Sequence, residues 1–346
     1  MPLLTKPITA MTFGAGKFVA LTNPVLSYAE DQLIFESMIS TNGRDWQTHF
    51  VDVAPAPEEQ GLLYGVNYFS SLVYGNGMFV ALAGDFYGTL TSPDGITWTY
   101  HLPPSSSEGN GNVRLRYGNG LFVAVNQMRS FVSPDGVSWT DYLDAVPIYQ
   151  QVLSYGNGTF VAIGDPGTEE GKNVAISTDG ILWATHIAPF QGAGVHHLVF
   201  GNGVFVATFL NELLGRVAIS DDGVTWELID LPNSDTGTSY DHSIFIADLA
   251  FGGGLFVMHE GPRQSAMDRD GRQRTYLSRN GRHWWTVPTP ASRGDVYSGY
   301  SSDISWRHTT YGNGLFVSAQ NTNLFMRSGA CVGLADYAEG HYVRVS

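Results

Sequence analysis

The sequence contains almost no cysteine and few basic residues. Cys331 is the single cysteine among 346 residues, which excludes an internal disulfide framework. Lysine and arginine number 18 against 32 acidic residues, the net charge is −14, and the basic residues form no run. We therefore expect no nucleic-acid partner and no binding to an anionic membrane surface.

Long hydrophobic runs are also missing. No stretch approaches the roughly 18 apolar residues that a membrane-spanning helix needs, so no membrane insertion is predicted. The N-terminal segment "MPLLTKPITAMTFGAGKF" lacks the apolar core of a classical signal peptide. We expect an extracellular or virion-surface location reached without such a signal, and a cytoplasmic location stays open.

What the sequence does contain is an internal repeat. The motif aromatic-Gly-x-Gly-x-Phe-Val occurs seven times, at intervals of 38 to 61 residues, and begins at Phe13, Tyr74, Tyr117, Tyr155, Phe200, Phe251 and Tyr311. A second motif, Ser-x-Asp/Asn-Gly-x-x-Trp, follows it six times and begins at Ser40, Ser92, Ser133, Ser177, Ser220 and Ser278. Repeats of this length are typical of solenoids and propellers.

The residues around the motifs predict strands rather than helices. Short aromatic and β-branched runs flank each Asn-Gly and each Asp-Gly, which are strong signals for two-residue hairpin turns. Each repeat is therefore predicted to be a four-stranded antiparallel meander. The fold class is all-β, a seven-bladed β-propeller with residues 1–346 as one domain. Its blade repeats begin near residues 8, 69, 112, 150, 195, 246 and 304.

The seventh copy is irregular. Ser328-Gly329, after "NLFMRSG", stands where the second motif would be, and no tryptophan follows. The outer strand of this blade is either "HYVRVS" at the C-terminus or "PLLT" at the N-terminus. In the second case the two chain ends would interlock and close the ring.

The second motif resembles the Asp-box of sialidase-type β-propellers, Ser/Thr-x-Asp-x-Gly-x-x-Trp/Phe, shortened by one residue before the glycine. The resemblance implies a structural turn between the third and fourth strands. On that basis the turn aspartates should accept bonds from backbone N–H groups of their own turns, at Asp94, Asp135, Asp179 and Asp222. The tryptophans should pack between blades, at Trp46, Trp98, Trp139, Trp183, Trp226 and Trp284.

The segments that differ between copies should lie at the opposite end of the blades. These are the loops between the second and third strands and the crossovers between blades, and they are rich in Tyr, Ser, Gly, Asn and Asp. Binding residues commonly lie on such loops. We expect ligand contacts from the ends of the second strands, at Asn23, Asp85, Asn126, Asp165, Asn211, Glu260 and Asn321. Further contacts are expected from residues of the variable loops, at Tyr240, Asp241, His242 and Tyr300. The bland alternative is that these groups cap strands and hold water.

Catalysis and metal binding are less well supported by the sequence. The arginine-containing first-strand motif of true sialidases is absent, because the first strand reads "ITAMTFG". A glycosidase mechanism needs only two carboxyl groups at a set separation, and the candidates are Asp85, Asp165 and Glu260. His196 and His197 are adjacent in a predicted strand and should face opposite ways, so no metal site is expected. No cofactor is expected.

Three functions are consistent with these features. The first is a recognition propeller that binds a surface glycan or cell-surface receptor, in a bacteriophage tail or virion protein or in a secreted bacterial adhesin. The second is a glycan-active enzyme that uses the carboxylates above. The third is an adaptor between virion or other assembly subunits. Aromatic-rich loops favour the first over the third, and the missing arginine motif favours the first over the second.

Overall fold

The regular secondary structure of the described residues consists of β-strands. The computed structural model describes residues 8–27, 32–53, 66, 68–84, 88–102, 113–126, 129–143, 145–146, 148–166, 171–190, 193–210, 213, 215–232, 246–260, 274–288, 304–322 and 331–335. Within these ranges there are seven antiparallel sheets and no helix. Consequently no described helix is long and apolar enough to cross a membrane.

Backbone contacts divide the chain into two compact units. The N-terminal unit, Ile8–Ala188, holds sheets 1 to 4, and the C-terminal unit holds sheets 5 to 7 within Pro189–Ser346. Each sheet is a meander in which consecutive strands pair, apart from an addition to sheet 1. We call the strands of each sheet first to fourth in chain order, and the added strand of sheet 1 the extra strand.

The strands of the N-terminal unit have these bounds. Sheet 1 contains Ile8–Gly14, Lys17–Thr22, the extra strand Val25–Ser27, Gln32–Ser40 and Gln47–Val53. Sheet 2 contains Phe69–Gly75, Met78–Ala83, Gly88–Ser92 and Thr99–His101. Sheet 3 contains Arg114–Gly118, Leu121–Asn126, Arg129–Ser133 and Thr140–Tyr142. Sheet 4 contains Ile148–Gly156, Thr159–Pro166, Val174–Ser177 and Ala184–His186.

The strands of the C-terminal unit follow the same plan. Sheet 5 contains Val195–Gly201, Val204–Phe209, Arg216–Ser220 and Glu227–Asp230. Sheet 6 contains Ile246–Gly252, Leu255–Glu260, Arg274–Ser278 and Trp284–Pro288. Sheet 7 contains three strands within the described residues, Ile304–Gly312, Leu315–Thr322 and Cys331–Ala335.

Two of these sheets differ from the sequence-based expectation. In sheet 1, the segment expected to be a loop continues the sheet, because Val25–Ser27 pairs with the long third strand beyond the end of the second. In sheet 7, Cys331–Ala335 pairs with Leu315–Ala319 as the third strand, so Ser328-Gly329 precedes that strand instead of following it. Both segments suggested for the outer strand of the seventh blade lie outside the described residues.

The turn between the first and second strands has left-handed backbone at both central residues. Asn119 and Gly120 have φ of 50° and 76°, and the equivalent pairs in other sheets are similar. This is the conformation that a two-residue type I′ hairpin requires, and Asn-Gly adopts it with little strain. The first copy has Ala15 at the asparagine position, with φ of 48°.

The asparagine of this turn also bonds the next sheet. Asn119 Nδ2 donates to the carbonyl oxygens of Gly158 and Thr178, at 3.1 and 2.8 Å, and its Oδ1 accepts from the Tyr155 hydroxyl. Asn76 makes the same three contacts to sheet 3. One side chain therefore clips the turns of two neighbouring sheets together.

Replacing Ala15 with asparagine should stabilise the protein. The alanine at φ 48° is strained, and asparagine tolerates that conformation better and would add the clip to sheet 2 that Ala15 lacks. We expect the free energy of unfolding to rise by about 1 kcal/mol, measured by urea denaturation. The matched control is Asn119→Ala, which removes an existing clip and should cost about 1–2 kcal/mol. A loss of stability in Ala15→Asn would contradict this interpretation of the turn.

The turn between the third and fourth strands is held by its own side chains. In sheet 2, Asp94 Oδ1 accepts from the N–H groups of Ile96 and Thr97 at 2.7 and 2.8 Å. Ser92 Oγ donates to the same carboxylate and accepts from the N–H of Gly95. Partial burial raises the pKa of Asp94, but the bonds from Thr97, Ile96 and Ser92 outweigh it and hold the pKa below its usual value. The other turn aspartates make equivalent bonds, at Asp135, Asp179 and Asp222.

The tryptophan of this turn closes it and packs on the core. Trp98 Nε1 donates to the carbonyl of Gly95 at 3.1 Å, and its ring lies edge-on to Phe35 of sheet 1. The indole N–H makes the same bond in the other copies, at Trp46, Trp139, Trp183, Trp226 and Trp284. Trp98 and Trp226 are buried, and the other four are partly exposed.

Hydrophobic cores fill the spaces between neighbouring sheets of each unit. Phe35 and Phe69 meet edge to face in the core between sheets 1 and 2. Similar cores lie between sheets 2 and 3, 3 and 4, 5 and 6, and 6 and 7. The Phe of the Phe-Val motif is fully buried in most sheets, and each such side chain contributes about 1.5–3 kcal/mol. The repeats therefore build the scaffold on which any site is carried.

Candidate functional site

Each sheet has two ends with different contents. In sheets 1 to 6 the turn end carries the two tight turns described above, and in sheet 7 the described residues include only the first of them. The opposite end, which we call the loop end, carries the second-to-third-strand connections. Of the residues expected to bind ligand, those at the loop end of described strands are Asn23, Asn126, Asp165, Glu260 and Asn321. Asp85, Asn211, Tyr240, Asp241, His242 and Tyr300 lie outside the described residues, and for Asn321 only the backbone, within Leu315–Thr322, is described.

Two asparagines of the N-terminal unit present amide oxygens without a partner. Asn126 is the last residue of the second strand of sheet 3 and is 2% exposed. Asn23 directly follows the second strand of sheet 1. Among the described residues, neither Asn23 Oδ1 nor Asn126 Oδ1 has a hydrogen-bond partner, although both atoms are buried. Because a buried polar atom without a partner is costly, these two oxygens are suited to accept bonds from a ligand or from water.

The carboxylate candidates differ from one another in exposure. Asp165 lies in Thr159–Pro166 of the N-terminal unit and is exposed. Glu260 ends the second strand of sheet 6 and is 1% exposed, with Oε2 accepting from the N–H of Arg274 at 3.0 Å. Arg274 begins the third strand of the same sheet, so Glu260 bonds the base of its own loop. Glu260 therefore stabilises the start of the third strand, a role that the sequence does not reveal.

Arginines at the loop end are engaged by acids of their own sheets. Arg129 pairs with Asp141 at 3.2 Å, and Arg216 pairs with Asp230 at 2.7 Å. In both cases the arginine begins the third strand and the aspartate lies on the fourth. These two arginines therefore link strands within a sheet.

The two adjacent histidines of sheet 5 do not face opposite ways. A register shift between Val195 and His197 places the rings of His196 and His197 4.0 Å apart, which corrects the expectation from strand geometry. Their nitrogens bond the carbonyl oxygens of Ile246 and Ala247 in sheet 6, at 3.0 and 3.1 Å. Within the described residues no group of three or more His, Cys, Asp or Glu side chains is placed to hold a metal ion.

A buried chain of polar side chains joins sheets 6 and 7. His259 contacts Thr275 Oγ1 through Nδ1 at 3.1 Å and Ser318 Oγ through Nε2 at 3.3 Å. Ser318 in turn contacts Thr309 Oγ1 at 2.8 Å, and the Thr309 N–H donates to Asp248. Burial lowers the pKa of His259 to about 4, so the imidazole is neutral at pH 7. His259 and Ser318 are both buried, which makes this chain a packing element and not a presented nucleophile.

Comparison with known proteins agrees with the sheet architecture. No protein-family model matches the chain, and no curated protein matches its sequence. Among solved structures, a streptogramin B lyase is 11% identical, with 92% of each chain covered and a TM-score of 0.57. The β-propeller domain of the Trilobed protease from Pyrococcus furiosus is 8% identical, with 99% of this chain and 98% of that chain covered and a TM-score of 0.56.

A third solved structure gives the same result. The WD40 β-propeller domain of Doa1 is 13% identical, with 92% of this chain and 90% of that chain covered and a TM-score of 0.52. Identities this low establish the fold alone, because one fold hosts many functions. The chain has the fold of a β-propeller.

Proposed function

We propose that this chain is a recognition module, a seven-bladed propeller of Asp-box type in which residues 1–346 form one domain. It binds a surface glycan or cell-surface receptor through the loop end of its blades. A phage tail, another virion protein or a secreted adhesin would use such a module outside the cell. The resemblance of the shortened turn motif and the seven sequence repeats support the propeller type.

The observation that carries the proposal is the pair of amide oxygens at Asn23 and Asn126. Asn126 is the last residue of the second strand in sheet 3, and Asn23 lies one residue beyond the second strand in sheet 1. Neither Oδ1 has a partner among the described residues. A glycan presents hydroxyl donors to such acceptors, and the Tyr- and Ser-rich loops supply apolar faces and further polar contacts. The N-terminal unit thus offers fixed acceptors on rigid strands, with variable loops beside them.

An array of bacterial and host glycans, probed with the purified protein, tests this function. We expect selective binding by the wild type and about 3- to 10-fold weaker binding by Asn126→Ala, the value of one hydrogen bond. Asn23→Ala should weaken glycan binding by a similar factor. Both variants should unfold at the same urea concentration as the wild type. Leu182→Ser, a change at an exposed position of the turn end, is the matched control and should bind normally. A folded wild type that binds no glycan would redirect the proposal to protein partners in an assembly.

A further inference from the structure

The loop end of sheet 3 carries a cluster of polar side chains on one face of the sheet. Asn126 and Arg129 lie directly opposite each other in the register of the second and third strands, so their side chains share a face. Arg129 Nη1 contacts Asp141 Oδ2 at 3.2 Å on the same face, where Asp141 lies opposite Phe131. Phe131 packs in the core between sheets 2 and 3. The cluster therefore lies at the loop end of that core.

The position that Asn126 occupies has a structural role in two other sheets. It is the fourth residue after the Phe of the Phe-Val motif, and the same position holds Thr22 in sheet 1 and Glu260 in sheet 6. Thr22 Oγ1 accepts from the N–H of Glu36 at 2.9 Å, and Glu260 Oε2 accepts from the N–H of Arg274 at 3.0 Å. In both sheets the side chain therefore bonds the backbone of the third strand.

In sheet 3 the side-chain oxygen at this position is not used in that way. The second and third strands stay paired as far as Asn126 and Arg129. Asn126 is 2% exposed, and its Oδ1 has no hydrogen-bond partner within the described residues. A buried amide oxygen without a donor is costly. Asn126 Oδ1 is therefore placed to accept a bond from a group that the described residues do not supply.

The partner of this oxygen must be a slender hydrogen-bond donor. An amide oxygen accepts bonds and cannot donate, so an ionised carboxylate or phosphate oxygen does not suit it. Because Asn126 is 2% exposed, a hydroxyl fixed directly on a sugar ring would have to bring the ring into the site with it. A hydroxymethyl group carries its hydroxyl one bond further from the ring. It is therefore the part of a hexose that reaches furthest into a narrow site.

The charges around Asn126 favour a neutral ligand. The positive charge of Arg129 is matched by Asp141, and the side chains of this ion pair are 38% and 16% exposed. The whole chain carries 32 acidic and 18 basic residues, which disfavours the approach of an anion from solution. An acidic sugar would therefore gain little from Arg129 and would be repelled by the protein as a whole.

An exposed apolar side chain lies beside this cluster. Leu143 directly follows the fourth strand of sheet 3 and is 62% exposed. The pairing of Ser130 with Tyr142 places Leu143 next to Arg129 at the loop end. The aliphatic stem of a partly exposed arginine and an exposed leucine together form a surface on which the C–H face of a sugar ring can pack.

We propose that the loop end of sheet 3 binds the hydroxymethyl group of a neutral hexose, with Asn126 Oδ1 accepting a hydrogen bond from its hydroxyl. Arg129 and Leu143 support the sugar ring outside the site, and Asp141 holds Arg129 in position. The inference rests on the proposed function, because it names the class of sugar for one of the two asparagines described there.

Matched sugars test the site. The probes are the methyl glycosides of galactose, glucose and mannose, each with its 6-deoxy analogue and its uronic acid analogue, and binding is measured by ligand-observed NMR. We expect the wild type to bind at least one of the hexosides, and to bind its 6-deoxy analogue about 3- to 10-fold more weakly, because one hydrogen bond is lost. The uronic acid analogue should bind at least about 10-fold more weakly, because its carboxylate would face the amide oxygen of Asn126.

Variants assign this preference to Asn126. In Asn126→Ala the hexoside and its 6-deoxy analogue should bind equally, whereas Asn126→Asp, which keeps an acceptor oxygen at this position, should retain the preference for the hexoside. Asn23→Ala is the matched control and should weaken the binding of both sugars by the same factor. Urea denaturation of each variant checks that it is folded.

The outcomes separate this inference from the proposed function. Suppose that the wild type binds glycans on the array but binds none of the hexosides, or binds a hexoside and its 6-deoxy analogue equally. Either result would overturn the hexose site and leave the recognition function standing. A preference for the hexoside that survives in Asn126→Ala would also overturn the site. Failure of the folded wild type to bind any glycan on the array would overturn the proposed function, and the hexose site with it.

Discussion

Gly75→Ala should lower the free energy of unfolding by about 3 kcal/mol or more, which would make a single methyl group one of the most damaging changes in the chain. An added Cβ would lie 2.2 Å from Cγ of Tyr117 in the next sheet and 2.3 Å from Cδ2. The ring cannot move aside easily, because it packs on Phe122 and its hydroxyl bonds Asn76. The overlap must therefore push the two sheets apart.

A double-mutant cycle isolates the cause of this loss. Tyr117→Ala is destabilising by itself, but in that background Gly75→Ala should be neutral or slightly stabilising, because the ring is gone and Gly75 has an ordinary backbone conformation. The matched control is Gly77→Ala, two residues along, which has φ of 76° and no atom within 4 Å of the added carbon. It should cost about 1 kcal/mol through backbone strain alone. Equal losses in Gly75→Ala and Gly77→Ala would refute the steric account.

Acid should destabilise the protein through His259 well before the carboxylates titrate. The folded pKa is about 4 and the ordinary value is 6.5, so the unfolded chain takes up a proton that the folded chain does not. The contribution of the neutral imidazole is complete above pH 6.5 and is lost as the pH falls toward 4. The loss amounts to about 3 kcal/mol in total.

Urea denaturation at several pH values between 7 and 4 measures this slope. His259→Gln, which keeps a neutral polar group near Thr275 and Ser318, should flatten the dependence of the unfolding free energy on pH. His283→Gln, a change at an exposed histidine, serves as control and should retain the slope of the wild type. A slope that survives in His259→Gln would assign the acid sensitivity to other groups.

The sequence was most informative where structure is decided locally. Asn-Gly and Ser-x-Asp-Gly predicted the two tight turns because both depend on the φ values and short-range bonds of a few consecutive residues, as at Asn119 and Asp94. Four-stranded antiparallel sheets and a propeller fold followed from that spacing. The first glycine of the repeated motif belongs to the same pattern. The structure shows why glycine is needed there, because a Cβ would overlap an aromatic ring of the next sheet.

Structure decided by distant partners was not predictable in this way. Val25–Ser27 became a strand because the third strand of sheet 1 extends far enough to pair with it, which no local residue encodes. Glu260 is of a residue type suited to ligand binding or catalysis. Its burial and its bond to the N–H of Arg274 depend on the third strand lying beside the second, which the residues around Glu260 do not encode.

The contacts between glycines and aromatic rings of neighbouring sheets follow the order of the copies in the chain. In the N-terminal unit, the earlier copy always supplies the glycine and the later copy supplies the ring, as with Gly14 and Tyr74, Gly75 and Tyr117, and Gly118 and Tyr155. A ribosome makes the receiving surface before the group that fills it, so each sheet can dock as soon as it emerges. Each copy contains both the glycine and the aromatic residue of this contact. A gene duplication that adds a whole copy therefore also adds the residues with which that copy packs against its neighbours.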